Sequence, residues 1–126
     1  MNPGERTKRG EQVLQEMLGV EQAERIKAVW RDVSPDFAAY VTEFLAGEIW
    51  SRPGIDRRTK SLVTIAALAA QSRPLALELN LRIALNNGAT LQDIIETLLQ
   101  IAPYAGFPAC WEGLTLARKV FGESSS

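Results

Sequence analysis

Apolar residues recur every three to four positions through most of the chain, and short segments rich in proline, glycine and asparagine interrupt them. This period places apolar side chains along one side of an α-helix, whereas a half-buried strand alternates apolar and polar residues. No stretch of the sequence shows that alternation. The pattern therefore predicts an all-α protein of about six to seven helices.

Local signals predict where individual helices begin and end. Gly19 is expected to end the first helix, because glycine adopts the backbone conformation found at helix C-termini. Ser34-Pro35 combines an N-cap with a proline in the first helical turn, and Asp56 is expected to cap a later helix. Thr90 and Asp93 resemble a capping box. These residues divide the chain into its predicted helices.

Two of the predicted helices are unusually apolar. The helix that begins at Ser34-Pro35 has one strongly apolar face, formed by Phe37, Tyr40, Val41, Phe44, Leu45 and Ile49. The helix predicted over residues 57–71 is apolar nearly all round between Leu62 and Ala70. Such a helix belongs in the middle of a core or between subunits.

We expect a single domain over residues 1–126, since this length can bury a sizeable core. Residues 1–33 are expected to form an N-terminal helical extension, and residues 122–126 a flexible tail. Pro103 is expected to interrupt or kink its helix, because proline lacks a backbone donor.

Charge and hydropathy exclude several partners. The formal net charge is -1, so no basic excess indicates binding to nucleic acid. The apolar stretch around residues 62–70 is too short to span a bilayer. The first residues lack the apolar core of a signal peptide, and we therefore expect a cytoplasmic protein without a membrane partner.

The reactive side chains are limited by the absence of histidine and by the single cysteine, Cys110. One cysteine forms neither an internal disulfide nor a CxxC redox pair, and it is expected to pack. Without histidine, zinc sites and Ser-His or Cys-His nucleophile pairs are nearly excluded, and no metal is expected. Any catalysis must then use Glu, Asp, Lys, Tyr, Cys or oriented dipoles.

Four segments resemble the carboxymuconolactone decarboxylase family in order and spacing: residues 50–64 (WSRPGIDRRTKSLVT), 84–90 (ALNNGAT), 96–102 (ETLLQIA) and 104–109 (YAGFPA). The first segment is specific, and the others are individually modest. The resemblance extends over roughly residues 36–120, which is most of the chain.

This resemblance implies an all-α, alkylhydroperoxidase D-like helical fold, assembled as a homo-oligomer, a trimer or hexamer. It implies a small-molecule substrate and a reaction without cofactors. That reaction is decarboxylation of 4-carboxymuconolactone to 3-oxoadipate enol-lactone, a step in aromatic-acid (protocatechuate) catabolism.

The same resemblance separates two branches of the superfamily. The peroxidase-like branch has a glutamate, a CxxC pair and a histidine, which correspond here to Ser61, Arg73, Ala76 and Asn80. None of these residues matches, so thiol redox chemistry is excluded. The decarboxylase branch keeps the histidine, and Asn80 stands in its place.

Arg58 is a candidate for binding a substrate carboxylate, since the guanidinium fork matches that group. Arg57 lies about 100° away around the helix. One of the two arginines is therefore expected to bind substrate while the other forms a structural ion pair. The alternative is that both only balance acidic residues at a helix start.

Four further residues are candidates for the catalytic site. Asn80 can donate a hydrogen bond to a lactone carbonyl, although it cannot transfer a proton. Glu48 would act as a general acid if partial burial raised its pKa. Gln100 and Tyr104 fall where the family's last segment contributes to the pocket, and the Tyr104 hydroxyl can donate to an oxyanion. Ordinary packing or solvent exposure is the competing interpretation for each.

Three functions remain open from the sequence. The first is the decarboxylase activity that the resemblance implies. The second is a diverged family member acting on another small cyclic carboxylic acid or lactone, which the replacement of histidine by Asn80 favours. The third is a non-catalytic binding or oligomerisation module that keeps only the fold.

Overall fold

The computed structural model describes residues 2–124, and within them it contains helices but no strands. The helices are α1 (Pro3–Leu18), α2 (Val20–Val33), α3 (Pro35–Tyr40), a π-helix (Val41–Trp50), α4 (Arg57–Ala70), α5 (Pro74–Asn86), α6 (Leu91–Ala105) and α7 (Phe107–Ser124). The predicted all-α fold is confirmed. None of these helices is both long and apolar enough to cross a membrane.

Side-chain caps fix the predicted helix starts. The Ser34 hydroxyl accepts a hydrogen bond from the Phe37 amide at 3.1 Å, and the Asp56 carboxylate accepts one from the Thr59 amide at 2.7 Å. Thr90 and Asp93 form a complete capping box, with bonds of 3.1 and 2.9 Å. Each cap satisfies amides that the first helical turn leaves unpaired. The predicted caps are therefore confirmed.

Pro103 does not interrupt α6, which continues to Ala105. The prediction of a break is wrong because the proline lies in the last turn of the helix. Its missing N–H removes a single backbone bond there, two residues before the helix ends. Ala102 is 2 % exposed, so packing holds this turn in place.

The described residues form two compact units, one ending at Ile55 and the other beginning at Asp56. In unit 1, α1 packs along the π-helix, and α2 packs on α1 and α3. Val13, Leu14 and Met17 of α1 are buried. Helices α1 and α2, which lie in the N-terminal extension expected over residues 1–33, are therefore part of a packed unit.

The contact between α1 and the π-helix is made by backbone atoms. A Cβ atom added to Gly10 would lie 1.8 Å from the Thr42 carbonyl oxygen, and one added to Gly47 would lie 2.4 Å from the Arg6 carbonyl oxygen. No side chain fits at either distance. Both glycines therefore allow a helix–helix approach that any other residue would prevent.

The winding of the π-helix changes which side chains share a face. Val41 is buried, whereas the other five members of the predicted apolar face (Phe37, Tyr40, Phe44, Leu45 and Ile49) are 42–70 % exposed. Val41 is therefore the one member wrongly placed in that face. Hydrogen bonds in a π-helix join residues five apart, so positions four and five apart share a side. The α-helical period groups Val41 with the wrong neighbours.

Unit 2 is built around α4 and α7, which contact each other and both remaining helices. Ile65, Leu81, Ile94, Leu98 and Val120 are fully buried in its core. Cys110 is 3 % exposed in the same core, as expected for a packing cysteine. The opposite side of α4 is open, since Val63 is 58 % exposed.

The last helix continues to Ser124, beyond the point where the flexible tail was expected to begin. Phe121 packs against the core, and Glu123 forms an ion pair with Arg82 at 2.8 Å. These contacts hold residues 122 and 123 in helical geometry. The remainder of the expected tail, residues 125–126, lies outside the described residues.

Candidate active site

Arg58 is engaged by a carboxylate of its own unit. Its guanidinium donates to the two Asp93 carboxylate oxygens at 2.9 and 2.5 Å. Asp93 also accepts a hydrogen bond from the Thr90 amide at 2.9 Å. The pair joins the start of α4 to the start of α6 in a bidentate geometry. A substrate carboxylate would have to displace Asp93 to reach this fork.

Arg58 and Asp93 shift each other's pKa values although the pair is exposed. The Arg58 guanidinium, with the Thr90 amide, lowers the pKa of Asp93 from 3.8 to about 2. In return the Asp93 carboxylate raises the pKa of Arg58. Arg57 is half-buried beside the pair. The arrangement favours Arg58 as the structural arginine.

Asn80 lies at the edge of the buried face of α5. Leu77 and Ala84, one turn away on either side, are 3 % and 0 % exposed, and Asn80 itself is half-buried. Its Nδ2 donates to the Ala76 carbonyl at 2.9 Å. This bond within the helix uses one of the two amide hydrogens. The second hydrogen and the amide oxygen remain for a ligand.

Gln100 and Tyr104 lie one turn apart on α6 and are both exposed. Tyr104 is 86 % exposed, and Phe107 and Trp111 of α7 are 69 % and 74 % exposed. We call Tyr104, Phe107 and Trp111 the aromatic surface. A hydroxyl in water stabilises developing charge weakly. The aromatic surface therefore needs a cover before Tyr104 can serve as an oxyanion donor.

Within one copy of the chain, direct helix packing does not bring Asn80 and Tyr104 together. Asn80 lies on α5 and Tyr104 on α6, and these two helices pack on α4 and α7 rather than on each other. Asp93, which holds Arg58, lies eleven positions before Tyr104 on α6, or roughly 16 Å along the helix. The resemblance to the family assigned these residues to one site. In the fold, Tyr104 lies away from Asp93 on α6 and on a different helix from Asn80.

Glu48, the remaining candidate, belongs to unit 1. It lies on the π-helix, and its carboxylate is 3.7 Å from the Arg52 guanidinium. Its side chain is 37 % exposed. π-Helices are rare and occur frequently at functional sites, so the local geometry is compatible with a role for this residue.

Two polar clusters join residues that are distant along the chain, and neither gives a local signal in the sequence. The Asn87 side-chain amide donates to the buried Ser61 hydroxyl at 3.0 Å. Glu78 accepts a hydrogen bond from Lys119 at 2.6 Å, and this ammonium lowers the pKa of Glu78. Both clusters join helices to one another. Their geometry indicates a structural role.

Comparison with known proteins adds independent information. Residues 35–119 match the sequence profile of the carboxymuconolactone decarboxylase family. The chain is 40 % identical over 121 residues to a 4-carboxymuconolactone decarboxylase of Acinetobacter baylyi. The aligned residues cover 96 % of this chain and 90 % of that protein. It is 33 % identical over 114 residues to a nitrosuccinic acid decarboxylase of Metarhizium robertsii, covering 90 % of this chain and 80 % of that protein.

Proposed function

The chain belongs to the carboxymuconolactone decarboxylase family, and we propose that it decarboxylates 4-carboxymuconolactone to 3-oxoadipate enol-lactone without a cofactor. The observation that carries this proposal is the 40 % identity with a relative of that name over 96 % of the chain. The family match also includes the segments that contain Arg57, Asn80 and Tyr104.

The proposed reaction breaks the bond between the lactone ring and its carboxylate. The carboxylate leaves as CO2, and the electron pair of the broken bond spreads into the unsaturated lactone and its carbonyl oxygen. A proton then adds to the ring carbon next to the lactone carbonyl, and the double bond moves to the carbon that lost CO2, which gives the enol-lactone. The protein has to bind the carboxylate, donate hydrogen bonds to the carbonyl oxygen and supply the proton.

Each of these tasks has a candidate residue. Arg57 binds a carboxylate, while Arg58 holds Asp93. Asn80 donates its remaining amide hydrogen to the lactone carbonyl, with the Tyr104 hydroxyl and the Gln100 amide as further donors. Asn80 transfers no proton near neutral pH, so the proton comes from another acid or from water. The apolar neighbours of Asn80 support its role, because a donor acts more strongly in dry surroundings.

A second copy of the chain completes this site in our proposal. Asn80 and Tyr104 lie on helices that do not pack together, and the aromatic surface is open. In a closed homo-oligomer, the aromatic surface of one copy covers the α5 face of the next and places Tyr104 beside Asn80. Exposed aromatic groups of this kind commonly mark interfaces. A trimer or hexamer would bring together residues that one copy keeps apart.

A different substrate is the second candidate function. Asn80 stands where the family histidine is expected, and the chain is 33 % identical to a relative named for nitrosuccinic acid. A diverged member would decarboxylate another small carboxylic acid with the same hydrogen-bond donors. The non-catalytic module is the third reading, and it predicts that no small acid is turned over.

Measuring CO2 release with 4-carboxymuconolactone and with nitrosuccinic acid separates these readings. The proposal predicts turnover of the lactone well above its spontaneous rate, and turnover at low lactone concentration that falls at least severalfold in Arg57→Ala. Turnover of nitrosuccinic acid alone would establish the second function. Release at the spontaneous rate with both acids would contradict the lactone decarboxylase proposal and would exclude nitrosuccinic acid as the substrate.

A further inference from the structure

Unit 2 contains an open groove that none of the candidate catalytic residues lines. It has a volume of about 460 Å³ and lies between the end of α5, the turn before α6 and the last turns of α7. Its lining residues are Leu85, Ala89, Thr90, Leu91, Arg118, Phe121 and Gly122. Grooves of a few hundred Å³ hold small organic molecules.

The floor and walls of the groove are mainly apolar. Ala89 and Phe121 are 5 % and 9 % exposed, so they form a firm floor continuous with the core. Leu85 is half-buried, and Leu91 is 39 % exposed at the side. An apolar ring or short chain would bury these surfaces on binding.

Arg118 is the one charged side chain among the described residues that line the groove. It is exposed and forms no ion pair with any described residue. The acids that start α6 and end α7 are already engaged, since Asp93 binds Arg58 and Glu123 binds Arg82. The Arg118 guanidinium therefore keeps its fork available for an anion.

We propose that this groove binds a small carboxylic acid with an apolar body. The carboxylate binds the Arg118 guanidinium, and the apolar body lies against Leu85, Leu91 and Phe121. The Thr90 hydroxyl oxygen accepts from the Asp93 amide, so its hydrogen is available as a second donor. This ligand site is additional to the proposed decarboxylase site and does not depend on turnover.

Calorimetric titration of the full chain with benzoate tests the proposal directly. Benzoate is expected to bind saturably, and benzamide, which has the same shape without the charge, is expected to bind at least about tenfold more weakly. Arg118→Gln should weaken benzoate binding by a similar factor. Arg9→Gln, which removes an exposed charge from unit 1, is the matched control and should bind as the wild type does.

A second variant tests the groove itself by filling it. A Cβ atom added to Gly122 meets no atom within 4 Å, so Gly122→Trp can place its ring in the groove without displacing the backbone. Benzoate binding should be lost in this variant while its far-ultraviolet circular dichroism stays unchanged.

The outcomes separate this site from the decarboxylase site. If benzoate binds Arg118→Gln as tightly as the wild type, it binds elsewhere and the proposal is overturned. Absence of saturable binding to the wild type overturns it as well. Since the readout is binding, loss of decarboxylase activity in all proteins would leave this result unaffected.

Discussion

The start and the end of α6 differ in how far their side chains find partners within one copy of the chain. At the start, Asp93 holds Arg58 and caps the helix, so the polar groups are paired within unit 2. At the end, Tyr104 and its aromatic neighbours are 69–86 % exposed. Both ends belong to segments that match the family. In our proposal the first region serves the fold, and the second is covered by a neighbouring copy of the chain.

The largest effect is expected from charging the aromatic surface. Trp111→Glu should dissociate the oligomer and abolish decarboxylation, because a carboxylate cannot be buried unpaired at the interface. Light scattering after size exclusion would follow the mass, and CO2 release the activity. Trp111→Phe, which keeps the surface apolar, should assemble. A fully assembled Trp111→Glu oligomer would show that this surface lies outside the interface.

Removing the Asn80 side chain should lower the decarboxylase activity less than Trp111→Glu does. Asn80→Ala deletes the proposed donor to the lactone carbonyl and is expected to lower kcat by about a hundredfold, the usual effect of one lost oxyanion donor. Steady-state kinetics would measure it, with the exposed Asn86→Ala on the same helix as control. Unchanged kcat in Asn80→Ala would remove this residue from the site.

The two arginines of α4 sharpen the comparison further. Arg58→Ala should lower the unfolding midpoint and leave KM unchanged, because the residue binds Asp93. Arg57→Ala should raise KM at least severalfold, because a substrate contact is lost. Thermal unfolding and kinetics on both variants would decide. A raised KM in Arg58→Ala would instead make Arg58 the substrate ligand.

Acid should weaken the start of α6 in a defined window. The pKa of Asp93 is about 2, below its ordinary value of 3.8. A lowered pKa contributes stability that is complete above 3.8 and is lost as the pH falls through about 2. The unfolding free energy of the wild type should therefore decline more steeply across this window than that of Asp93→Asn. Parallel profiles would contradict the assignment.

Features set by neighbouring residues could be predicted from the sequence. The caps at Ser34, Asp56 and Thr90 depend on atoms within three positions along the chain, so nearby residue types were enough to predict them. The packing of Cys110 also follows from its apolar character.

Features set by distant residues could not be predicted. The close packing of α1 on the π-helix depends on the approach of Gly10 to Thr42, which no local pattern records. Arg58 meets a partner 35 positions away, so the sequence offered two arginines without deciding between them. The sequence did not indicate that Arg118 could bind an anion. Its guanidinium is available because the nearby acids Asp93 and Glu123 pair with other arginines.

Mixing two inactive variants tests most directly whether neighbouring copies share the site. Asn80→Ala and Tyr104→Phe would be purified separately, each with low activity, then dissociated and reassembled together in equal amounts. If Asn80 and Tyr104 of each site come from different copies, about one quarter of the sites in random mixtures regain both side chains, and CO2 release recovers accordingly. If mixed oligomers form and activity stays at the level of the separate variants, the two residues do not meet across the interface and the shared site is contradicted.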